Sequence, residues 1–459
     1  MASPATTGPV TRQPAGPRGD VPRQAAPRAG AGGTGGLSSR LTGTPPRRLQ
    51  TTSVLLALLA LLFGVLTVWQ VSSRSTAADN VINHSQPLSN DAAKIFRSLA
   101  DADTTAATGF LQAGQETAAV RTQYSDDIAT ASQLLTQAAA QSGSDDPGQQ
   151  WITKLNAQLP TYAGLVETAK ADDRQGIPLG GAYLRFASAQ MQNQMLDEAQ
   201  SLYQAESSRL DNDYADARSL PWAALGLGVV LLALLVRAQI RLFHRTNRVF
   251  NLGLVFATAC ATVALLWLGV GQSISASYLS DSDSKGAAPL QMLNQAEIEA
   301  LKCRAAENLN LVARGSTTAY ETAWDAESKK LAGAGGYLAQ AQQMTSGDAA
   351  AQGEVNAAVA SFHTWQSRHD VAHTANQGGD YGTAVSDTIG SGSGTIDAAF
   401  TSLNSSLSAA AANEQAQFTS LADSARSATS LLAPGAGVLT VLAAAGVVVG
   451  VNRRVAEYR

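Results

Sequence analysis

Four apolar runs constrain this chain more than anything else in it. Residues 51–71, 220–236, 250–274 and 431–451 contain no Asp, Glu, Lys or Arg. About 20 apolar residues carry a helix across a bilayer. Helices in a water-soluble core rarely stay uncharged for so long. The runs therefore predict four membrane spans, the second being the shortest. The first is built around SVLLALLALLFGVLTVW, which exceeds the apolar core of a secretory signal, and the segment 1–50 precedes it. It reads as an uncleaved anchor.

Charge fixes the expected topology, because short loops rich in Lys and Arg stay cytoplasmic. The segment 1–50 has seven Arg against the single acid Asp20, the loop 237–249 has four Arg and no acid, and the tail 452–459 has three Arg against Glu457. Segment 72–219 has 10 basic and 18 acidic residues, and segment 275–430 has 8 and 16. Both termini and the short loop are thus expected in the cytoplasm, with two acidic segments outside, in a multi-pass protein of the cell membrane. Segment 1–50 is rich in Pro, Ala, Gly and Arg and cannot bury a core, so it reads as a disordered tether. Thr6, Thr7 and Thr11 offer it hydroxyls for phosphorylation.

The stretch RAQIRLFHRTNRVF needs its own reading. Arg237, Arg241, Arg245 and Arg248 follow spacings of four, four and three, so in a continuing helix they share one face. They hold a hairpin between two spans and suit the anionic headgroups of the lipid bilayer. They are also the candidate docking surface for a cytosolic protein. Nucleic acid is not expected, since the chain supplies neither a groove nor a stacking platform.

Each acidic segment reads as four helices. In the first, the stripe Ile152, Leu155, Leu159, Tyr162, Leu165, Val166 recurs at threes and fours, and SGSDDPG and DDRQGIPLGG act as breakers. In the second, the four helices are joined by TSGDAAA and NQGGDYGTAVSDTIGSGSG. The two segments share one plan, which predicts an internal duplication. The expectation is an all-α membrane protein with four transmembrane helices and two tandem extracytoplasmic four-helix bundles, 72–219 and 275–430.

Few residues suggest chemistry. His369 and His373 are four apart on one helical face, with His363 six residues before. A metalloprotease places Glu directly after the first His of such a pair, and Asp370 fills that slot here. Hydrogen-bonded histidines are therefore expected, with no metal, no cofactor and no catalytic residue. The chain has no phosphate-gripping Gly loop, nucleophile elbow or CxxC pair. Its two cysteines, Cys260 and Cys303, lie in an apolar and a polar run and read as free thiols, with an intermolecular bridge at Cys303 left open. Spans without an ionisable acid or base argue against a transporter.

The plan of span, exported four-helix bundle and span resembles the sensor module of bacterial chemoreceptors and sensor kinases. From about residue 49 to 459 the chain resembles the four-span actinobacterial membrane proteins that couple an extracytoplasmic glutamate- and aspartate-binding lipoprotein to a soluble serine/threonine kinase, protein kinase G. The resemblance rests on the four spans, the two helical segments and an Ala- and Arg-rich style, and carries no motif residues. It implies a relay in which a solute-binding lipoprotein docks outside and a serine/threonine kinase engages the Arg237–Arg248 hairpin inside. Self-association into a homo-oligomer stays open. So do two other classes: an envelope scaffold using the rods as spacers, and a metal-dependent envelope enzyme centred on His369 and His373.

Overall fold

The computed structural model describes residues 45–112, 115–143, 146–246, 251–314 and 317–456. Most of the segment 1–50, Arg248 and residues 457–459 lie outside the described residues. Among the described residues there is no strand, and four helices are long and apolar enough to cross a membrane.

Two rods set the geometry. Helix α1 (Pro45–Asn80) passes through a π-turn (Val81–Ser85) into α2 (Gln86–Leu111). Helix α8 (Leu252–Ser282) passes through a π-turn (Asp283–Ala287) into α9 (Ala288–Val312). The 62-residue stretch Gln50–Leu111 and the 61-residue stretch Leu252–Val312 are each about 90 Å long at 1.5 Å per residue. The π-turns have a local cause. Pro87 and Pro289 stand two residues beyond their ends, and a proline inside a helix lacks its N–H and clashes with the carbonyl four residues back, which here belongs to the π-turn. Widening the ladder by one residue lets the helix continue.

The chain returns from the first rod through α3 (Ala118–Gln141), α4 (Gln149–Arg174), α5 (Leu179–Gln190) and α6 (Leu196–Arg218), with a third π-turn (Met191–Met195) joining α5 to α6. Helix α7 (Trp222–Thr246) follows after three residues, so the second span does run on past residue 236 as a helix. The second rod returns through α10 (Ala319–Ala332), α11 (Tyr337–Met344), α12 (Ala349–Gln377), α13 (Tyr381–Ile389) and α14 (Ile396–Thr429), then enters α15 (Leu432–Ala456). Two expectations need correction here. The second of the four helices expected in segment 275–430, the one before TSGDAAA, is two helices, because Gly333–Gly336 turns the chain, with Gly335 at φ 75°. The stretch read as linker contains α13, whose first turn is held by the Asp380 side chain accepting from Thr383 N–H (3.2 Å).

The two bundles bury matching faces. Ile152, Leu155, Leu159, Tyr162, Val166 and Ala169 line the inside of α4, and Val355, Ala358, Phe362, Trp365, His369 and Ala372 do so at the same spacing on α12. The rods pack together above the spans: Arg97 pairs with Glu297, and Asn308 Nδ2 donates to Thr108 Oγ1 (3.0 Å). Nearer the spans, four helices share a stalk core that includes Val81, Leu210, Tyr214, Leu279, Phe418 and Ala422. Its flanks carry two ion pairs, Arg218–Asp283 and Arg426–Asp79, each 3.0 Å. Each joins the descending helix of one half to the ascending rod of the other. The two pairs are therefore reciprocal, each half supplying one arginine and one aspartate.

Among the spans, α15 packs against both α1 and α8, and α7 completes the ring. Small residues allow the close approach. Gly446 and Gly450 form a GxxxG face towards Gly253, and a Cβ on Gly450 would stand 2.9 Å from the Gly253 Cα. Leu55, Leu58, Val65, Trp69, Val230, Leu266 and Val438 point outwards and stay exposed, as lipid-facing side chains do.

Candidate functional site

The helices of bundle 2 converge on a buried polar network. Its hub is Glu307 on α9. Arg304 Nη1, one turn away, donates to Glu307 Oε2 (2.9 Å), and Trp365 Nε1 donates to the same oxygen (3.2 Å). Arg304 is 1 % exposed and also donates from Nη2 to Asp397 Oδ1 (2.9 Å) and to the Thr388 carbonyl (3.2 Å), so it ties α9 to α13 and α14. The other oxygen of Glu307, Oε1, lies 2.8 Å from Nδ1 of His369 on α12.

The network then reaches α10. His369 Nε2 is 3.1 Å from Glu321 Oε1, and His373 Nδ1 is 3.0 Å from Glu321 Oε2. Asn310 Nδ2 donates to that second oxygen (2.9 Å). The Trp324 ring stacks on His369 with centroids 3.7 Å apart and planes 2° from parallel. Burial opposes a charge on His369, but hydrogen bonds and charges from Glu307 and Glu321 outweigh it and lift its pKa to about 9. Burial likewise opposes the Glu321 charge, yet the bond and charge of His369 hold its carboxyl below the usual range. In neutral water His369 is thus an imidazolium between two carboxylates.

Bundle 1 also buries an acid of its rod, against Tyr162 where bundle 2 has Trp365, with different company. Asp103 on α2 is buried and accepts from Tyr162 Oη (3.2 Å), Ser188 Oγ (2.7 Å) and Gln192 Nε2 (2.8 Å). Burial pushes its pKa up, and these three donors only partly offset that. Two further acids repeat between the bundles. Glu206 on α6 stands beside Asp146, and Glu414 on α14 beside Asp348; burial and the neighbouring acid push each up to about 7.

The sequence-predicted histidines part company here. His369 and His373 meet Glu321, while His363 and Asp370 are exposed on other faces of α12. Glu321 escaped the sequence reading because it comes from a separate helix 48 residues before His369. The signal available was indirect: a buried stripe on α12 that places His369 where α4 has Val166. Cys260 and Cys303 are both buried and free.

At the other end of the molecule, Arg237 and Arg241 are exposed along α7. Arg245 falls within α7, and Arg248 lies outside the described residues. Gln239 Nε2 donates to the Leu254 carbonyl (3.0 Å) and to Thr258 Oγ1 (2.6 Å), which fastens α7 to α8 beside these arginines. Asn251 caps α8, its Oδ1 accepting from Gly253 N–H (3.2 Å), and donates from Nδ2 to the Gly450 carbonyl (2.9 Å).

Residues 77–215, running from the end of α1 through bundle 1 almost to the end of α6, match the actinobacterial sensor domain family. No curated protein and no solved structure matches the chain. The family match and the four span-capable helices together fit a sensor protein of the actinobacterial membrane. A sensor domain points to a non-catalytic role.

Proposed function

We propose that the chain is a transmembrane signal relay. A cue outside the membrane, delivered by an amino-acid-binding lipoprotein, shifts the bundles, and the hairpin carrying Arg237 and Arg241 passes the shift to a cytosolic serine/threonine kinase. The observation that carries this reading is the continuity of the two rods, each a single helix from span to bundle head. A rigid rod moves as a unit, so a tilt or slide at the head reaches the membrane undiminished. The repeated plan of the halves favours descent from a duplicated span–bundle–span unit. Both termini and the α7–α8 hairpin lie in the cytoplasm in this reading, following the arginine bias.

The test is crosslinking in intact cells from a photoreactive residue in the turn 378–380 between α12 and α13 and another at His244. Capture of a solute-binding lipoprotein outside and a kinase inside supports the relay. Capture of envelope or division proteins alone would replace it with a scaffold. Reversing the charges of Arg241 and Arg245 is expected to abolish signalling while insertion stays normal.

A further inference from the structure

We propose that Glu321, His369 and His373 form a binding site for a divalent transition-metal ion of the zinc class, set in the head of bundle 2. This goes beyond the relay and does not depend on it.

The donor set comes first. Two imidazoles and one carboxylate are the ligands zinc takes at sites that keep a fourth position open. Their softness favours zinc-class ions over calcium or magnesium. The placement agrees. The three ligand atoms all lie within 4.8 Å of one another. An ion bonded at about 2.0–2.1 Å holds its ligands roughly 3.4 Å apart in a tetrahedron. Glu321 already stands 3.1 Å and 3.0 Å from the two imidazole nitrogens. Closing the remaining gap needs only a small turn of the partly exposed His373.

The surroundings match a metal site beyond its ligands. Metal-bound histidines usually give their second N–H to a carboxylate, which fixes the tautomer and aims the free lone pair. Glu307 does this for His369, since its Oε1 is 2.8 Å from Nδ1, leaving Nε2 directed at Glu321. Glu307 is itself fixed by Arg304 and Trp365. An ion at Nε2 takes the place of the proton held there.

A second observation concerns the hydrogen bonding of the same pair. His373 Nδ1 is shielded from solvent and makes no hydrogen bond, although Glu321 Oε2 is 3.0 Å away. The nitrogen and the oxygen lie side by side without a donor pointing at an acceptor. A buried polar atom left in this way calls for a missing partner, and a cation between the two gives the His373 nitrogen one while Asn310 keeps its bond to Glu321 Oε2. On the far side of the ring, the Gln377 amide is 2.6 Å from Nε2. With its oxygen turned inwards it accepts the Nε2 proton and leaves the Nδ1 lone pair free. Glu321 and His373 each keep 25 % side-chain exposure, which gives the ion an entry path.

The experiment uses the full chain in detergent, stripped with a chelator and titrated with Zn2+ by calorimetry and with Co2+ by visible absorption. One ion per chain is expected, with the intense bands of tetrahedral Co2+. Glu321→Gln and His373→Ala are expected to weaken binding at least about a hundredfold and remove those bands. Asp370→Ala, at an exposed neighbour, leaves both unchanged. Both ligand variants are at partly exposed positions, and an unchanged circular dichroism melt confirms that they fold. Absence of saturable Zn2+ binding overturns the proposal, with the imidazolium network standing alone. So does binding that survives both ligand variants.

Discussion

Each bundle head buries one acid of its rod against the matching residue of α4 or α12, Tyr162 or Trp365, and the two heads satisfy that acid in opposite ways. Asp103 meets a phenol, a hydroxyl and an amide, with no cation among its hydrogen-bond partners. Glu307 meets a guanidinium and an imidazole. The first arrangement closes on itself inside bundle 1. The second runs outwards through His369 and Glu321 to the surface of bundle 2. One helical plan therefore supports both a sealed polar core and one that communicates with solvent. The sensor-family match covers the sealed head, and the open head is the one that adds a binding site.

The strongest way to break this contrast is to remove the acids. Glu307→Ala takes the buried carboxylate from both Arg304 and His369, and unfolding in urea is expected to show a loss of about 3–5 kcal/mol. Asp103→Asn keeps the shape and two donors, and a loss of about 1–2 kcal/mol is expected. Equal losses would mean that the heads do not differ as described. Between the spans, Gly446→Leu pushes a side chain into the Gly253 backbone and is expected to cost about 1–3 kcal/mol. Gly269→Leu points into open space and is expected to leave the thermal midpoint unchanged.

A pH series sharpens the likeness of the halves. Glu206 and Glu414 have folded pKa values of about 7 against an ordinary 4.5, so the folded chain holds their protons more tightly. Each adds stability that is whole below pH 4.5 and is lost as pH rises through about 7. Stability followed over that window is expected to fall, and Glu206→Gln and Glu414→Gln to flatten the fall to a similar extent. A change from one variant alone would separate the bundles again. The smallest effects belong to the stalk pairs. Arg218→Ala and Arg426→Ala each remove a partly exposed ion pair, for an expected loss below about 1 kcal/mol each.

The spans and most bundle helices were legible because long uncharged runs and three-and-four spacing admit few structures. Helix α13 was not, since GTAVSDT is polar and sits between glycines. The π-turns were missed although Pro87 and Pro289 mark them, because a proline at a helix start and one inside a continuous rod look the same in sequence. The site was half legible. His369 and His373 share a face by spacing alone, whereas Glu321 reaches them only through packing of α10 on α9 and α12. Arg237 and Arg241 of α7 were legible as an exposed face from their spacing of four.

The reciprocal pairs Arg218–Asp283 and Arg426–Asp79 have a consequence for how such a molecule is made. Two separate copies would have to find each other in the membrane, and the fraction paired would follow their abundance. Linked in one polypeptide, the halves meet at a fixed effective concentration, whatever the level of expression. The linkage also lets the two heads differ. A substitution in a symmetric dimer appears twice, while here it appears once, and the heads do carry different residues at matching stripe positions, Tyr162 and Val166 on α4 against Trp365 and His369 on α12.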